Sequence, residues 1–111
     1  MRGIGGNAQA VIQTRTTERN EIGEAVEKWA DAQTITGWLD YQSGDSRYQN
    51  YGAKTQESTH VFVADYVPLD KSIKAGNSRL IVNGATYDAL LYDDPMGLNC
   101  QWEIYLRAVE Q

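Results

Sequence analysis

Arg79-Leu80-Ile81-Val82-Asn83-Gly84-Ala85-Thr86-Tyr87-Asp88 sets Asn-Gly between two apolar runs, the strongest short-range sign of a β-hairpin. Both turn residues tolerate the positive φ that a type I′ turn demands. A two-residue loop pairs Val82 with Ala85, Leu80 with Tyr87 and Arg79 with Asp88. The last pair places opposite charges across the ladder, which supports that register. Downstream, Cys100, Trp102, Ile104, Leu106 and Ala108 share one parity, while Gln101, Glu103, Tyr105 and Arg107 share the other. That alternation predicts a half-buried strand with Cys100 and Trp102 on its apolar side.

Working outward, the same period of two recurs upstream. Ala8 to Thr16 places Ala10, Ile12 and Thr14 on one side. Thr34 to Tyr41 places Ile35, Leu39 and Tyr41 opposite Thr34, Thr36, Trp38 and Asp40. Thr59 to Val67 sets His60, Phe62, Ala64 and Tyr66 against Val61, Val63 and Asp65. A short separate strand over Glu24 to Trp29 follows the turn-like Asn20-Glu21-Ile22-Gly23. Strands this dense predict an all-β fold, an antiparallel barrel or sandwich of about six to seven strands. The expected core joins Trp102, Ile104 and Leu106 to Leu80, Val82, Tyr87, Phe62 and Leu39, with Cys100 buried among them.

Two stretches interrupt the pattern. Gln42 to Glu57 is polar, with Tyr48 and Tyr51 at helical spacing but Gly44 and Gly52 weakening a helix, so 43–57 is either a short helix or a long loop. Pro68 to Asn77 predicts a connecting loop with at most one helical turn. The glycine-rich start predicts a flexible terminus over 1–7 before a single domain over 8–111.

Composition bounds the function. The chain has 111 residues, 41% hydrophobic and 23% charged, which suits one globular domain burying roughly two-thirds of its unfolded surface. A single cysteine excludes an internal disulfide framework and points to a reducing compartment. Met1 to Gly6 contains no apolar run of signal-peptide or membrane-span character, so a cytosolic product is expected. The net charge is -5 with ten scattered basic residues, which argues against tight DNA binding through phosphate neutralisation.

Catalytic machinery is not legible. His60 lies in a strand beside Phe62, without the nucleophile and orienting partner that a general base needs. One His and one Cys make no zinc site, and Asp93-Asp94 before Pro95 and Gly97 is a solvated turn rather than a Ca²⁺ loop. Gly3, Gly5 and Gly6 follow no strand and cradle no phosphate. No enzyme activity, cofactor or metal is expected. Seven tyrosines and three tryptophans against one phenylalanine favour amphipathic rings, which suit interfaces. Trp38 shares its face with Thr34, Thr36 and Asp40, so it either covers a small second core under a loop or serves as an interface anchor. Tyr48 and Tyr51 offer two further amphipathic contacts.

The succession Gly23-Glu24-Ala25-Val26-Glu27-Lys28-Trp29, Ser43-Gly44 with Tyr48, Thr59-His60 leading to Tyr66, and Arg79 before Asn83-Gly84 and Tyr87 resembles the phage head–tail joining proteins. These are also called head–tail adaptor, head completion or stopper proteins of long-tailed phages. The likeness runs from about Ala8 to Glu110. It implies a small β-barrel domain that assembles with itself as a ring at the portal vertex. The ring would close or extend the DNA channel and provide the docking surface for the tail. Its implied partners are the portal or adaptor ring and tail proteins, with genomic DNA passing unbound and no membrane involved. The implied location is the virion neck, after synthesis in the host cytoplasm. Partner contacts are expected at Trp38, Asp45, Arg47, Tyr48, Tyr51 and Lys54. A tail completion or terminator protein is the neighbouring alternative. A carbohydrate-binding β-sandwich is the alternative from another class, disfavoured because the aromatics are split among strands and loops.

Overall fold

In the computed structural model of the chain, the described residues are 6, 8–41 and 58–109. Of the expected flexible start, only Gly6 is among them, and the expected helix or loop at 43–57 lies outside them. The elements are β1 (Ala8–Arg19), β2 (Ala25–Tyr41), β3 (His60–Asp65), β4 (Ser78–Val82), β5 (Ala85–Asp93), a 3₁₀ turn (Pro95–Gly97) and β6 (Gln101–Ala108). Six strands close into a barrel in the order β1-β2-β3-β6-β5-β4, with every pairing antiparallel.

The β4–β5 hairpin has the expected register, with Val82 opposite Ala85, Leu80 opposite Tyr87 and Arg79 opposite Asp88. Asn83 and Gly84 take φ of 51° and 81°, as a type I′ turn requires. The charge pair is different. Asp88 meets Arg107 at 3.7 Å, while Arg79 turns the other way, toward Gln13 and Trp29.

The interior is filled by alternate residues: Ala10 and Ile12 of β1, Phe62 and Ala64 of β3, Leu80 and Val82 of β4, Tyr87 and Ala89 of β5, and Ile104 and Leu106 of β6. Leu39 and Trp102 are half-buried and pack against this core. Gly37 faces Ala64 across the β2–β3 ladder. A methyl there would meet the Val63 carbonyl oxygen and lie 2.9 Å from a Phe62 ring carbon, so only glycine fits this close approach.

Two irregularities in the ladders account for the main departures from simple alternation. Ile12 pairs with Gln33 but Gln13 with Asp31, which leaves Ala32 as an extra residue in β2. The bulge switches the parity of inward residues. The two strands expected at Glu24–Trp29 and Thr34–Tyr41 are therefore one 17-residue strand, and the total is six. In β5, Leu90 is the extra residue between Ala89 and Leu91, and the switch swings Tyr92 toward the interior side occupied by Ile104 on β6.

Three burial expectations are corrected. Cys100 is exposed, because the turn through Met96, Gly97 and Asn99, all at positive φ, delays the start of β6 to Gln101. Its thiol donates to the Leu98 carbonyl oxygen at 3.6 Å. Tyr105, assigned by parity to solvent, is fully buried together with its cross-strand partner Val61, so the sheet is covered on both sides there. Tyr41 is 77% exposed because it stands at the last position of β2, beyond the core, edge-on to His60.

Candidate docking surfaces

β1 and β2 outrun the rest of the barrel. β4 pairs with β1 only from Ala10 to Thr14, whereas β2 follows β1 out to Arg19. The five pairs from Arg15–Trp29 to Arg19–Ala25 therefore form a two-stranded ribbon, about 17 Å long at ~3.3 Å per residue. Its root is tied to the barrel. The Arg15 amide donates to the Asn77 carbonyl at 2.8 Å, and its guanidinium donates to the Gly76 carbonyl at 3.2 Å. The Arg79 guanidinium lies 4.1 Å from the centre of the Trp29 ring, a cation–π contact. The same guanidinium donates to Gln13 Oε1 at 2.8 Å, and Gln13 in turn donates to Asp31.

The ribbon's tip is ordered by two side chains. Asn20 Oδ1 accepts from the amides of Ile22 and Glu24 at 3.1 and 2.9 Å, and Arg19 donates to the Gly23 carbonyl at 2.7 Å. This Asx-type turn holds Ile22 at the apex, 77% exposed.

The loop from Tyr66 to Asn77 closes the barrel at the same end, and it is a loop with turns rather than a helix. Gln33 clamps it, donating to the Pro68 carbonyl at 3.0 Å and accepting from the Asp70 amide at 2.8 Å. Trp102 Nε1 donates to the Val67 carbonyl at 2.8 Å. Asp70 accepts from the Ser72 amide and hydroxyl, and these hydrogen bonds hold its carboxyl below the ordinary value. Ser78 donates to the Lys74 carbonyl at 2.7 Å and lies 2.7 Å from the Tyr92 hydroxyl. Burial pushes the Tyr92 phenol up to about 12, partly offset by the Ser78 hydrogen bond.

Between this loop and the ends of β5 and β6 runs an open groove of about 560 Å³, within the usual range for binding sites. Trp102 stacks on Tyr66 at 5.3 Å and takes Tyr92 edge-on at 6.4 Å. Leu69, Ile73 and Leu91 add aliphatic surface, and Lys71 and Lys74 stand at the rim. At the opposite end of the barrel His60 packs edge-on against Tyr87. Its imidazole lies 2.9 Å from Thr59 Oγ1, and burial lowers its pKa.

Of the residues expected to contact partners, Trp38 is 43% exposed on the outward side of β2. Asp45, Arg47, Tyr48, Tyr51 and Lys54 lie outside the described residues. Sequence reasoning missed both the ribbon tip and the groove. The tip's signal was present in Ile22 standing alone among Asn20, Glu21, Gly23 and Glu24. The groove has no local signal, because Tyr66, Tyr92 and Trp102 meet only through barrel closure. Among the described residues no group of three or more His, Cys, Asp and Glu is placed to hold a metal ion.

The solution structure of protein SF1141 from Shigella flexneri 2a is similar, with a TM-score of 0.74 at 23% sequence identity, covering 100% of this chain and 99% of that one. At that identity the likeness speaks for the fold. No curated protein matches the chain. The family model described as phage head completion protein matches residues 1–109.

Proposed function

We propose, from the premise that this chain belongs to the phage head completion protein family, that it forms a ring at the portal vertex of the virion. There it closes or extends the DNA channel and presents the surface on which the tail docks. The family match over nearly the whole chain carries this reading. The work is structural, and no step of chemistry is assigned to any residue. Several features suit it. From the closed barrel a projecting ribbon and an aromatic groove at one end offer surfaces to neighbours. The net charge of -5 suits a conduit that must not hold phosphates. Trp38, with Asp45, Arg47, Tyr48, Tyr51 and Lys54, is proposed to contact the adjoining portal-side or tail-side proteins.

The test is a phage lysate made without the protein. Filled heads and finished tails should accumulate separately, and the heads should lose DNA. Adding the purified protein should restore joined, infectious particles. Normal yields of tailed particles without it would overturn the reading.

A further inference from the structure

The ribbon tip and the groove are complementary. Ile22 is a bare aliphatic side chain on an ordered turn, flanked by Glu21 and Glu24. The groove is aromatic and aliphatic, with Lys71 and Lys74 at its rim. On the ribbon, Glu18 is engaged by Lys28 at 3.0 Å and Glu27 by Arg15 at 3.7 Å. Glu21, Glu24, Lys71 and Lys74 have no ion-pair partner among the described residues. The rim also carries Asp70, whose carboxylate is kept ionised by the Ser72 hydrogen bonds, so two ammonium groups outnumber one carboxylate there.

Topology places the two surfaces to meet between copies rather than within one. In the six-strand circle β1 stands across from β6, and β2 across from β5. The ribbon continues β1 and β2, while the groove lies at the ends of β5 and β6. Both sit at the end of the barrel closed by the Tyr66–Asn77 loop; the ribbon's root, Arg15 and Trp29, lies against Asp88, Ala89 and Leu90 of β5, while its paired strands carry the tip away from the barrel, out to Arg19 and Ala25. A tip held out beyond the barrel and a groove at the barrel's end are different surfaces, so their union is a heterologous contact, which closes into a ring when the rotation between copies allows it.

We propose that a second copy of this chain docks its β1–β2 tip into this groove, Ile22 entering beside Leu69 and Ile73 while Lys71 and Lys74 of the receiving copy meet Glu21 and Glu24. The inference rests on the ring reading above and names the contact that builds the ring. Burial of Ile22 supplies the apolar part of the contact. The four charges fix direction and register and disfavour the reversed arrangement.

Particles assembled with variant protein provide the test, on a Cys100→Ser background so that only introduced thiols react. Ile22→Cys combined with Ala75→Cys should give, on mild oxidation, a ladder of disulfide-linked multimers. Lys71→Glu with Lys74→Glu should lower that yield by about tenfold through like-charge repulsion. Adding Glu21→Lys with Glu24→Lys should restore it, which also shows that the reversed-charge protein is folded. Electron microscopy of the same particles reads the ring independently. A visible ring without the ladder, or without charge rescue, overturns the contact and leaves the ring reading standing. No ring in any particle overturns both.

Discussion

Gly37→Ala is the sharpest single test of how the barrel closes. The added methyl would strike the Val63 carbonyl oxygen and come within 2.9 Å of Phe62 Cε2 and 3.0 Å of Ala64 Cβ. The phenyl ring can shift slightly, but the carbonyl belongs to β3 within the β2–β3 ladder and cannot rotate away. Overpacking a tight core costs about 1–3 kcal/mol, and a backbone obstacle places this site at the upper end. Removing a glycine from the unfolded chain returns about 0.4–1 kcal/mol. The net loss is about 2 kcal/mol, or a Tm lower by about 8 °C at about 4 °C per kcal/mol for a domain this size. Thermal unfolding by circular dichroism measures it. Adding Ala64→Gly should not rescue the variant, since it clears a side chain and leaves the carbonyl in place. An unchanged or higher Tm for Gly37→Ala, or full rescue by Ala64→Gly, would refute the close-approach argument.

Three further outcomes are expected. The folded state holds the Tyr92 proton up to about pH 12, against an ordinary 10.0, so this group's contribution is intact below about pH 10 and disappears as pH rises to about 12. The loss is about 2–3 kcal/mol in total, and alkaline melting curves of Tyr92→Phe should lack that part of the wild-type decline. A double-mutant cycle of Arg79→Met and Trp29→Leu should give a coupling of about 0.5–1 kcal/mol for the stacked guanidinium, with a value near zero contradicting the contact. Cys100 should react with a thiol reagent in the native protein as fast as a small exposed thiol does. Protection until unfolding would return it to the core.

The hairpin was legible because its register follows from two turn residues with special φ, a local requirement that tertiary context rarely overrides. The inward faces of β1, β3, β4 and most of β6 followed from alternation in the same way, and the resemblance to head completion proteins agreed with the family match. Alternation failed where the ladder adds a residue. Ala32 and Leu90 carry no bulge signature of their own, so β2 read as two strands and Tyr92 lost its place near the core. It failed again at Tyr105, since parity distinguishes the two faces of a strand but does not say that both are covered. Cys100 was misplaced by one residue at a strand boundary, where a run of positive φ overrode parity. The groove was invisible because its three rings come from after β3, from β5 and from β6. Of the expected partner contacts only Trp38 falls among the described residues, and its exposure matches the face assigned to it.

The return of β4 to β1 leaves the barrel's hydrogen-bonding circuit without a rim. A foreign strand finds no open row of amides and carbonyls there, so pairing between sheets cannot template fibres along the barrel wall. Open edges remain on the ribbon and where β2 and β5 outrun their shorter neighbours, and the ribbon's are studded with Arg15, Glu18, Arg19, Glu27 and Lys28, charges that deter casual strand addition. Along the closed wall, contacts between copies are therefore left to side chains, which discriminate by shape and charge where a strand edge would not.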